Sequence, residues 1–225
     1  MPNPVQRSQR LAIAAGLSAL GDVRSYPARS FIFHLGDPGG SVFLVESGVV
    51  RIDRTTTAGK IVLINLMAAN EVFGELSAID GAPRSASAST VTDARIRRVQ
   101  AEEFRDLLNE RSDLQAALLE SVTARLRSLT TQFVENSSLD APALMASGLL
   151  RLVEIERELG RSTAAPDGSI ELPLLISQEE LGQWSGLSRE GAVKGLATLR
   201  SVGLIATSRK RVTIYNLAGL EERCH

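Results

Sequence analysis

The sequence predicts an α+β protein with an antiparallel β-domain, then a long helix, then a C-terminal helical domain with a β-wing. Three observations support this prediction. Short strand-like segments fill residues 30–100, a heptad-like apolar repeat follows them, and a helix-turn-helix pattern lies near the C-terminus. Of the 225 residues, 44% are apolar and 23% are charged, so we expect a packed core rather than disorder.

The predicted strands are rich in Val, Ile and Phe and end at turn residues. They cover residues 31–34, 41–47, 49–55 and 60–66, with a further strand pair within 85–100. The turns between them are Gly36–Gly40, Ser47-Gly48 and Ala58-Gly59. Many short strands at this spacing predict an antiparallel sandwich or barrel.

The charge and the cysteine content exclude several classes of protein. With 25 Lys+Arg against 26 Asp+Glu, a polyanion must be bound by a local basic patch rather than by the overall charge. Cys224 is the only cysteine, which excludes an internal disulfide framework and a cysteine-based metal site. His34 and His225 are too far apart in sequence for a zinc site. We predict no metal, no covalently bound cofactor and no enzyme, since neither a Ser/His/Asp set nor a GxxxxGK[ST] loop is present.

The N-terminal segment is predicted to be an ordinary helix. Residues 11–20, LAIAAGLSAL, follow Arg7 and Arg10 and faintly resemble a signal peptide, but a small-residue cleavage site is missing. No apolar run approaches the ~20 residues that cross a bilayer. The sequence therefore predicts a cytoplasmic protein without a membrane partner.

A long helix with a narrow apolar seam is predicted for residues 112–135. Ser112 and Gln115 have the spacing of a capping box at its start. Apolar residues then recur every 3.5 residues on average, which is the spacing of a coiled coil. They are Leu119, Val122, Leu126, Leu129 and Phe133. The seam favours a dimer interface, the alternative being an amphipathic helix packed on its own domain.

A second helical region begins after a short polar break. Residues 136–140, NSSLD, are predicted to form a hinge, and Asp140 can cap a helix over 143–159 that ends at Gly160. A brief strand is predicted at 170–175.

Residues 177–204 have a helix-turn-helix pattern. Ser177 and Glu180 form a capping box, Gly186 supplies the left-handed residue of the turn, and Ser188 caps the second helix. Residues 204–217 follow as a two-stranded wing. This arrangement makes the second helix a candidate DNA reader.

Basic residues concentrate in this region of an otherwise neutral protein. Residues 186–211 contain six basic side chains and one acidic side chain, a net charge of +5 that suits phosphate contacts. Arg189 and Lys194 can reach base edges, and Glu190 can accept a hydrogen bond from cytosine. The candidate DNA-binding residues are Ser177, Gln178, Ser188, Arg189, Glu190, Lys194, Arg209 and Lys210. The alternative is a helix pair used only for protein contacts.

Two glycines in the second helix leave a question open. Gly191 and Gly195 each weaken a helix by about 1 kcal/mol relative to Ala. They either permit a close backbone approach or are only a local cost.

The most specific motif is FGELSAIDGAPRSAS at residues 73–87, which combines a Gly-Glu pair, an Asp-Gly turn and Pro-Arg-Ser-Ala. The order of features along the chain resembles that of the CRP/FNR (catabolite-activator-like) family of bacterial transcription regulators. These features are the strand-rich half with this motif, the heptad helix and the helix-turn-helix with SREGAVKGL. The sequence resembles this family over about residues 20–220. The resemblance implies a cyclic-nucleotide-binding β-roll at 1–111, a dimerisation helix at 112–135, a hinge at 136–140 and a winged helix-turn-helix domain at 141–225.

The resemblance also implies a ligand, cAMP or cGMP, and the side chains that bind it. A short helix starting near Gly74 would face the cyclic phosphate, Glu75 would accept from the ribose 2′-hydroxyl, and Arg84 would pair with the phosphate. The implied ligand-binding residues are Phe73, Gly74, Glu75, Leu76, Arg84, Ser85, Ala86, Leu129 and Thr130. Thr130 can hydrogen-bond a purine base but Leu129 cannot, which leaves the choice of nucleotide open. The alternative is a surface ion pair between Glu75 and Arg84 in a domain that has lost its ligand.

The function implied by the resemblance is that of a ligand-gated homodimer that binds double-stranded DNA at a roughly palindromic operator, with RNA polymerase as a further partner. Two alternatives remain: a regulator with a vestigial pocket or another effector, and a cyclic-nucleotide-binding adaptor that does not bind DNA. The recognition helix departs from the common family text at Gly191, Ala192 and Lys194, so the family's half-site cannot be carried over. His34 matches a position that is usually structural.

Overall fold

The computed structural model describes residues 4–57, 59, 61–160 and 164–224, so the predictions for Ala58, Lys60 and His225 lie outside the described residues. By packing, the chain forms two compact units, Met1–Ser128 and Leu129–His225. This division does not test the functional boundaries predicted at residues 111 and 140, which stay a prediction.

The first unit is an antiparallel β-domain with helices at its ends. Its strands are β1 (Asp22–Tyr26), β2 (Phe31–Phe33), β3 (Ser41–Ser47), β4 (Val50–Thr55), β5 (Ile61–Met67), β6 (Val72–Phe73), β7 (Ser87–Thr90) and β8 (Ala94–Gln100). Its helices are α1 (Pro4–Leu17), α2 (Glu75–Asp80), α3 (Ala101–Glu110) and the first part of α4 (Ser112–Ser138). The strands form two antiparallel four-stranded sheets in the orders β1-β8-β3-β6 and β2-β7-β4-β5. The predicted α+β class and the antiparallel β-domain are confirmed.

Strand β3 separates two apolar clusters, because its side chains alternate between the faces of the sheet. Phe43 and Val45 join a cluster that contains residues of both sheets, and this cluster fills the interior of the β-roll. Val42 and Leu44 point the other way and pack in a cluster with α1, α3 and the start of α4. The predicted N-terminal helix is confirmed, and Leu17 of that helix is fully buried in the second cluster.

The long helix α4 extends further than the sequence predicts. The hydroxyls of Ser137 and Ser138 donate to the carbonyls of Phe133 and Val134, one turn earlier, so this polar stretch continues the helix. Only Leu139 and Asp140 separate α4 from the next helix. The predicted capping box at Ser112 is wrong, since Ser112 is already helical and the amides of the next turn bond to the carbonyl of Arg111.

The second unit combines helices with a small antiparallel sheet. Beyond the end of α4 its elements are α5 (Ala141–Glu158), β9 (Ile170–Pro173), α6 (Gln178–Trp184), α7 (Arg189–Ser201), β10 (Ile205–Ser208), β11 (Arg211–Ile214) and α8 (Leu217–Arg223). The sheet has the order β10-β11-β9. The predicted caps are confirmed, because the side chain of Asp140 accepts from the Ala143 amide, and Ser177 and Glu180 form a capping box. The helix-turn-helix and its wing are therefore present as predicted.

Candidate ligand site and nucleic-acid interface

The motif at 73–87 folds into a tight loop around the short helix α2. Gly74 precedes this helix with a φ of 75°, and Gly81 follows it with a φ of 72°. A Cβ atom on Gly74 would lie 2.7 Å from Nη1 of Arg84. Glycine is therefore required at residue 74 both for the backbone conformation and for the space that Arg84 occupies.

Arg84 turns its guanidinium into the protein. The residue is only 3% exposed, and Nη1 donates to the carbonyl of Gly74 at 2.7 Å while Nη2 donates to that of Ser41 at 2.6 Å. The guanidinium carbon lies 4.4 Å from the centre of the Phe33 ring. Burial, and secondarily the nearby charge of Arg98, lower the pKa of Arg84. Arginine nevertheless remains charged at neutral pH.

The Nε–H group of Arg84 is buried and has no hydrogen-bond partner among the described residues. A buried donor without an acceptor is costly, and a buried cation is stabilised by an anion. The unpaired donor of this residue could hold an anionic oxygen such as that of a phosphate, the group that the family resemblance implies for it.

Glu75 is also buried, but its partner is a residue that the sequence analysis did not assign to the site. Its Oε1 accepts from Nη1 of Arg125 at 2.6 Å, and Nη2 of Arg125 donates to the carbonyl of Val72 at 2.5 Å. The alternative of a surface ion pair between Glu75 and Arg84 is wrong, since both residues are 3% exposed and Glu75 pairs with Arg125. In the sequence, Arg125 is distinguished only by its positive charge beside the apolar seam of the long helix, which does not assign it to the ligand site.

The other predicted ligand residues are placed differently from one another. Phe73 is buried against Phe43, with ring centroids 5.2 Å apart, and belongs to the aromatic cluster that also contains Phe33. Leu76, which follows Glu75 in the chain, and Ser85, which follows Arg84, are exposed, whereas Ala86 is buried.

Leu129 and Thr130 belong to the second unit and are exposed on α4. Their contact with a ligand stays a prediction.

The helix-turn-helix is closely packed at its glycines. Gly186 has a φ of 77°, as predicted for the turn, and Gly182 of α6 lies directly against Ala192 of α7. A Cβ atom on Gly195 would lie 2.7 Å from the carbonyl oxygen of Ala141 on α5, whereas a Cβ atom on Gly191 would meet no atom closer than 3.3 Å. Gly195 thus permits a close helix approach, and Gly191 is not required by packing.

The predicted DNA contacts are all exposed on the second unit. They are Ser177, Gln178, Ser188, Arg189, Glu190, Lys194, Arg209 and Lys210. The hydroxyls of Ser177 and Ser188 also cap α6 and α7. Lys210 has a φ of 59° at the tip of the wing, where it and Arg209 connect β10 to β11.

One basic residue of the predicted patch has an acidic partner. Nη1 of Arg211 lies 2.9 Å from Oε2 of Glu171 on the neighbouring strand β9. The net charge of +5 counted along the sequence therefore overestimates the local positive charge, because the sheet brings Glu171 beside the wing.

Among the residues that the structure describes, no cluster of three or more His, Cys, Asp or Glu side chains could hold a metal ion. No described helix combines the length and the hydropathy that crossing a membrane would require.

Comparison with known proteins finds matches for both units. Residues 23–111 match the family described as cyclic nucleotide-binding domain, and residues 145–223 match the Crp-like helix-turn-helix domain. The chain is 31% identical over 212 residues to a CRP-like cAMP-activated global transcriptional regulator of Mycobacterium tuberculosis, covering 94% of this chain and 92% of the relative. It is 29% identical over 194 residues to a global nitrogen regulator of Synechococcus elongatus, covering 85% of each.

A solved structure has the same fold. A transcriptional regulator of the CRP family from Thermus thermophilus superimposes with a TM-score of 0.73 at 22% identity, over 89% of this chain and 96% of that one. The fold of the present chain is therefore found in an experimental structure.

Proposed function

Because the chain belongs to the CRP/FNR family of bacterial transcription regulators, we propose that a cyclic nucleotide binds to its first unit and controls DNA binding by its second unit. We propose cAMP as the first candidate, since a 31% identical relative is named as cAMP-activated. cGMP is a second candidate, because Thr130 can hydrogen-bond a purine base but Leu129 cannot, and this pair does not specify the nucleotide. The relatives' names describe regulators, in agreement with the prediction that the chain is not an enzyme.

The buried Arg84 is the observation that carries this proposal. Among the residues that the structure describes, its Nε–H has no acceptor, and the hydrogen bonds of Nη1 and Nη2 go to neutral carbonyls, so an anionic phosphate would supply the missing partner. The hydroxyl of Ser85 and the backbone amide of Ala86 would add donors to the same phosphate.

Glu75 offers a route by which the ligand would influence the long helix. Its carboxylate is held by Arg125 of α4, and a ribose hydroxyl that donates to Glu75 would share this carboxylate with Arg125. Binding would therefore change the position or strength of a contact made by α4. A ligand shifts the equilibrium between two conformational states of the protein only to the extent that it binds one state more tightly than the other.

We propose that the exposed seam of α4 joins two copies of the chain. Leu119, Leu126, Leu129 and Phe133 are exposed, Phe133 by 75%, whereas Val122 packs partly against the core of the first unit. Burying these side chains against a second copy would remove a large apolar surface from water. A two-fold dimer presents two recognition helices and suits a roughly palindromic operator. RNA polymerase stays a proposed partner.

Calorimetric titration with cAMP and cGMP tests the ligand. The wild-type protein should bind one of them, and Arg84→Ala should weaken binding roughly 10- to 150-fold, the value of a charge-assisted hydrogen bond. Arg95→Ala is the matched control, because its side chain is 62% exposed and should leave affinity unchanged. Absence of heat and of a thermal shift with both nucleotides would refute the cyclic-nucleotide proposal.

A second candidate is a regulator that responds to another effector. The similarity to a protein named as a global nitrogen regulator favours it, because that name specifies no cyclic nucleotide. DNA selected from a random duplex library without added nucleotide tests this candidate. DNA affinity that cAMP and cGMP leave unchanged would support it and would contradict ligand gating.

A third candidate, an adaptor that does not bind DNA, is tested with the same library. Arg189→Ala and Lys194→Ala should each weaken binding to the selected duplex if the exposed basic face of α7 contacts DNA. Failure to select any duplex, with and without cAMP and cGMP, would support the adaptor, whereas unchanged affinity in both variants would mean that another surface contacts the DNA.

A further inference from the structure

Helix α7 has one buried face and one exposed face. The side chains of Ala192, Leu196 and Leu199, together with Gly195, lie against the rest of the second unit. The opposite face carries the exposed residues at helical spacing, and they are Arg189, Glu190, Val193, Lys194, Ala197, Arg200 and Ser201. In a helix-turn-helix protein this exposed face is the one that can enter the major groove.

Val193 stands out on this face. It is 60% exposed and is the one large apolar side chain among the exposed residues of α7, all of which the structure describes. A β-branched residue is also a weaker helix former than Ala, so the position gains nothing from local helix propensity. Glu190 precedes Val193 by one turn and Ala197 follows it by one turn, which places the isopropyl group in the middle of the exposed face.

We propose that Val193 reads the C5-methyl group of a thymine in each half of the operator, an inference that rests on the proposed DNA binding. The major groove presents this methyl group only at thymine, and residues near the start of a recognition helix reach base edges. Val193 is the fifth residue of α7. Its side chain has no donor or acceptor, so the methyl group is the feature of a base edge that it can recognise by apolar contact.

The charged residues beside Val193 fit this assignment. Arg189 is suited to guanine, and Glu190 can accept from the amino group of cytosine. The exposed face then contains a reader for a G·C pair next to a reader for an A·T pair. The preferred half-site would be mixed in composition rather than purely G·C.

The test uses the full-length protein and a duplex selected from a random library, with cAMP present. Each thymine of the selected duplex is replaced in turn by deoxyuridine, which lacks only the methyl group, and affinity is measured by fluorescence anisotropy at fixed salt. At one position the replacement should weaken wild-type binding about fourfold for one half-site and about 15-fold when both half-sites are changed, the value of one buried methyl-sized group per half-site.

Two variants show whether Val193 causes this effect. Val193→Ala should discriminate thymine from deoxyuridine less than the wild type at that position, because its single methyl group offers less apolar contact, and should keep the wild-type response at every other thymine. Val202→Ala is the matched control, since Val202 is 55% exposed but lies beyond the C-terminal end of α7. It should reproduce the wild-type profile.

The outcomes separate this proposal from the proposed function. A deoxyuridine profile identical in wild type and Val193→Ala refutes the role of Val193 while DNA binding stands. Failure to select any duplex, with and without cAMP and cGMP, refutes DNA binding and the reader together. Cytosine and 5-methylcytosine at the same position give a further comparison. If 5-methylcytosine restores the affinity that cytosine loses in the wild type but not in Val193→Ala, methyl recognition is further supported.

Discussion

Gly191 and Gly195 lie four residues apart on α7, and we expect alanine to have opposite effects at the two positions. A methyl group at Gly195 would lie 2.7 Å from the carbonyl oxygen of Ala141 and 3.2 Å from Cβ of Met145. The nearest neighbours of a methyl group at Gly191 are Cδ2 of Leu187 at 3.3 Å and the Ser188 hydroxyl at 3.4 Å. The first neighbour is a backbone atom, and the second set consists of side-chain atoms that can move.

The expected magnitudes follow from these contacts. Replacing a helical glycine by alanine gains about 0.5–1 kcal/mol of folding free energy at either position. At Gly195 the overlap with the backbone requires α5 and α7 to separate, and overpacking of this kind costs about 1–3 kcal/mol. We therefore expect Gly191→Ala to stabilise the second unit by about 0.5–1 kcal/mol. Gly195→Ala should destabilise it by up to about 2.5 kcal/mol and be less stable than Gly191→Ala by about 1–3 kcal/mol, the cost of the overlap.

The unfolding of this unit can be followed selectively. Trp184 is the only tryptophan of the chain and is buried in α6, so its fluorescence reports on the second unit. A domain of this size changes its Tm by roughly 4–8 °C per kcal/mol, which predicts that Gly195→Ala melts about 4–24 °C below Gly191→Ala. A Gly195→Ala protein at least as stable as Gly191→Ala would refute the reasoning from close helix approach.

Two further predictions concern charged residues. Arg125→Met should lower the free energy of unfolding of the first unit by about 1–3 kcal/mol, because the Glu75 carboxylate is left buried without its cation. Urea unfolding followed by circular dichroism measures this loss. The double variant that also carries Glu75→Gln should recover most of it. A double variant no more stable than Arg125→Met would contradict this. Arg209→Ala should reduce the salt dependence of DNA binding by about two units of slope, one for each subunit of the proposed dimer. Arg211→Ala should change it less because Arg211 is paired with Glu171. Equal slopes in these two variants, measured by anisotropy at several salt concentrations, would contradict the role assigned to that ion pair.

The elements that sequence analysis predicted well are those defined by local chemistry. The capping residues Asp140, Ser177 and Ser188 lie where their side chains can accept from amides of the following turn, a geometry that needs no tertiary contact. Gly186 likewise has the positive φ that its position in the turn predicted. Strands β3 and β4 were recognised because apolar residues and flanking turns mark them.

Elements with a weak local signal were missed. Strand β1, DVRSY, contains mostly polar residues and lies at the edge of its sheet, paired with β8 alone. Helix α3 was also missed, although it begins with a capping box formed by Gln100 and Glu103. Tertiary pairing, rather than composition, identifies β1, whereas the capping box of α3 is a local signal that the sequence analysis did not use.

The contacts that define the candidate site depend on residues far apart in the chain. Arg84 donates to the carbonyl of Ser41, 43 positions away, and Glu75 receives Arg125 from 50 positions away. The pattern of the motif predicted that Glu75 and Arg84 are functional. It could not show that each already has a protein partner, because backbone carbonyls and a distant helix supply those partners.

Helix α4 carries both the proposed dimer interface and the contact through which the nucleotide is proposed to influence DNA binding. In the first unit its Arg125 holds Glu75, and in the second unit its Glu135 accepts from the hydroxyl of Ser147 on α5. Residues 126–134 lie between these two contacts, and all of them are exposed except the partly buried Gln132. Most helical stability in proteins comes from packing of an apolar face, and the apolar side chains of these residues are exposed in the single chain. A second copy packed on the exposed leucines and on Phe133 would supply that packing, and we propose that a change at Arg125 then alters this contact between the two copies. A chain that binds the nucleotide as a monomer should therefore lose the coupling to DNA affinity while it keeps the nucleotide site.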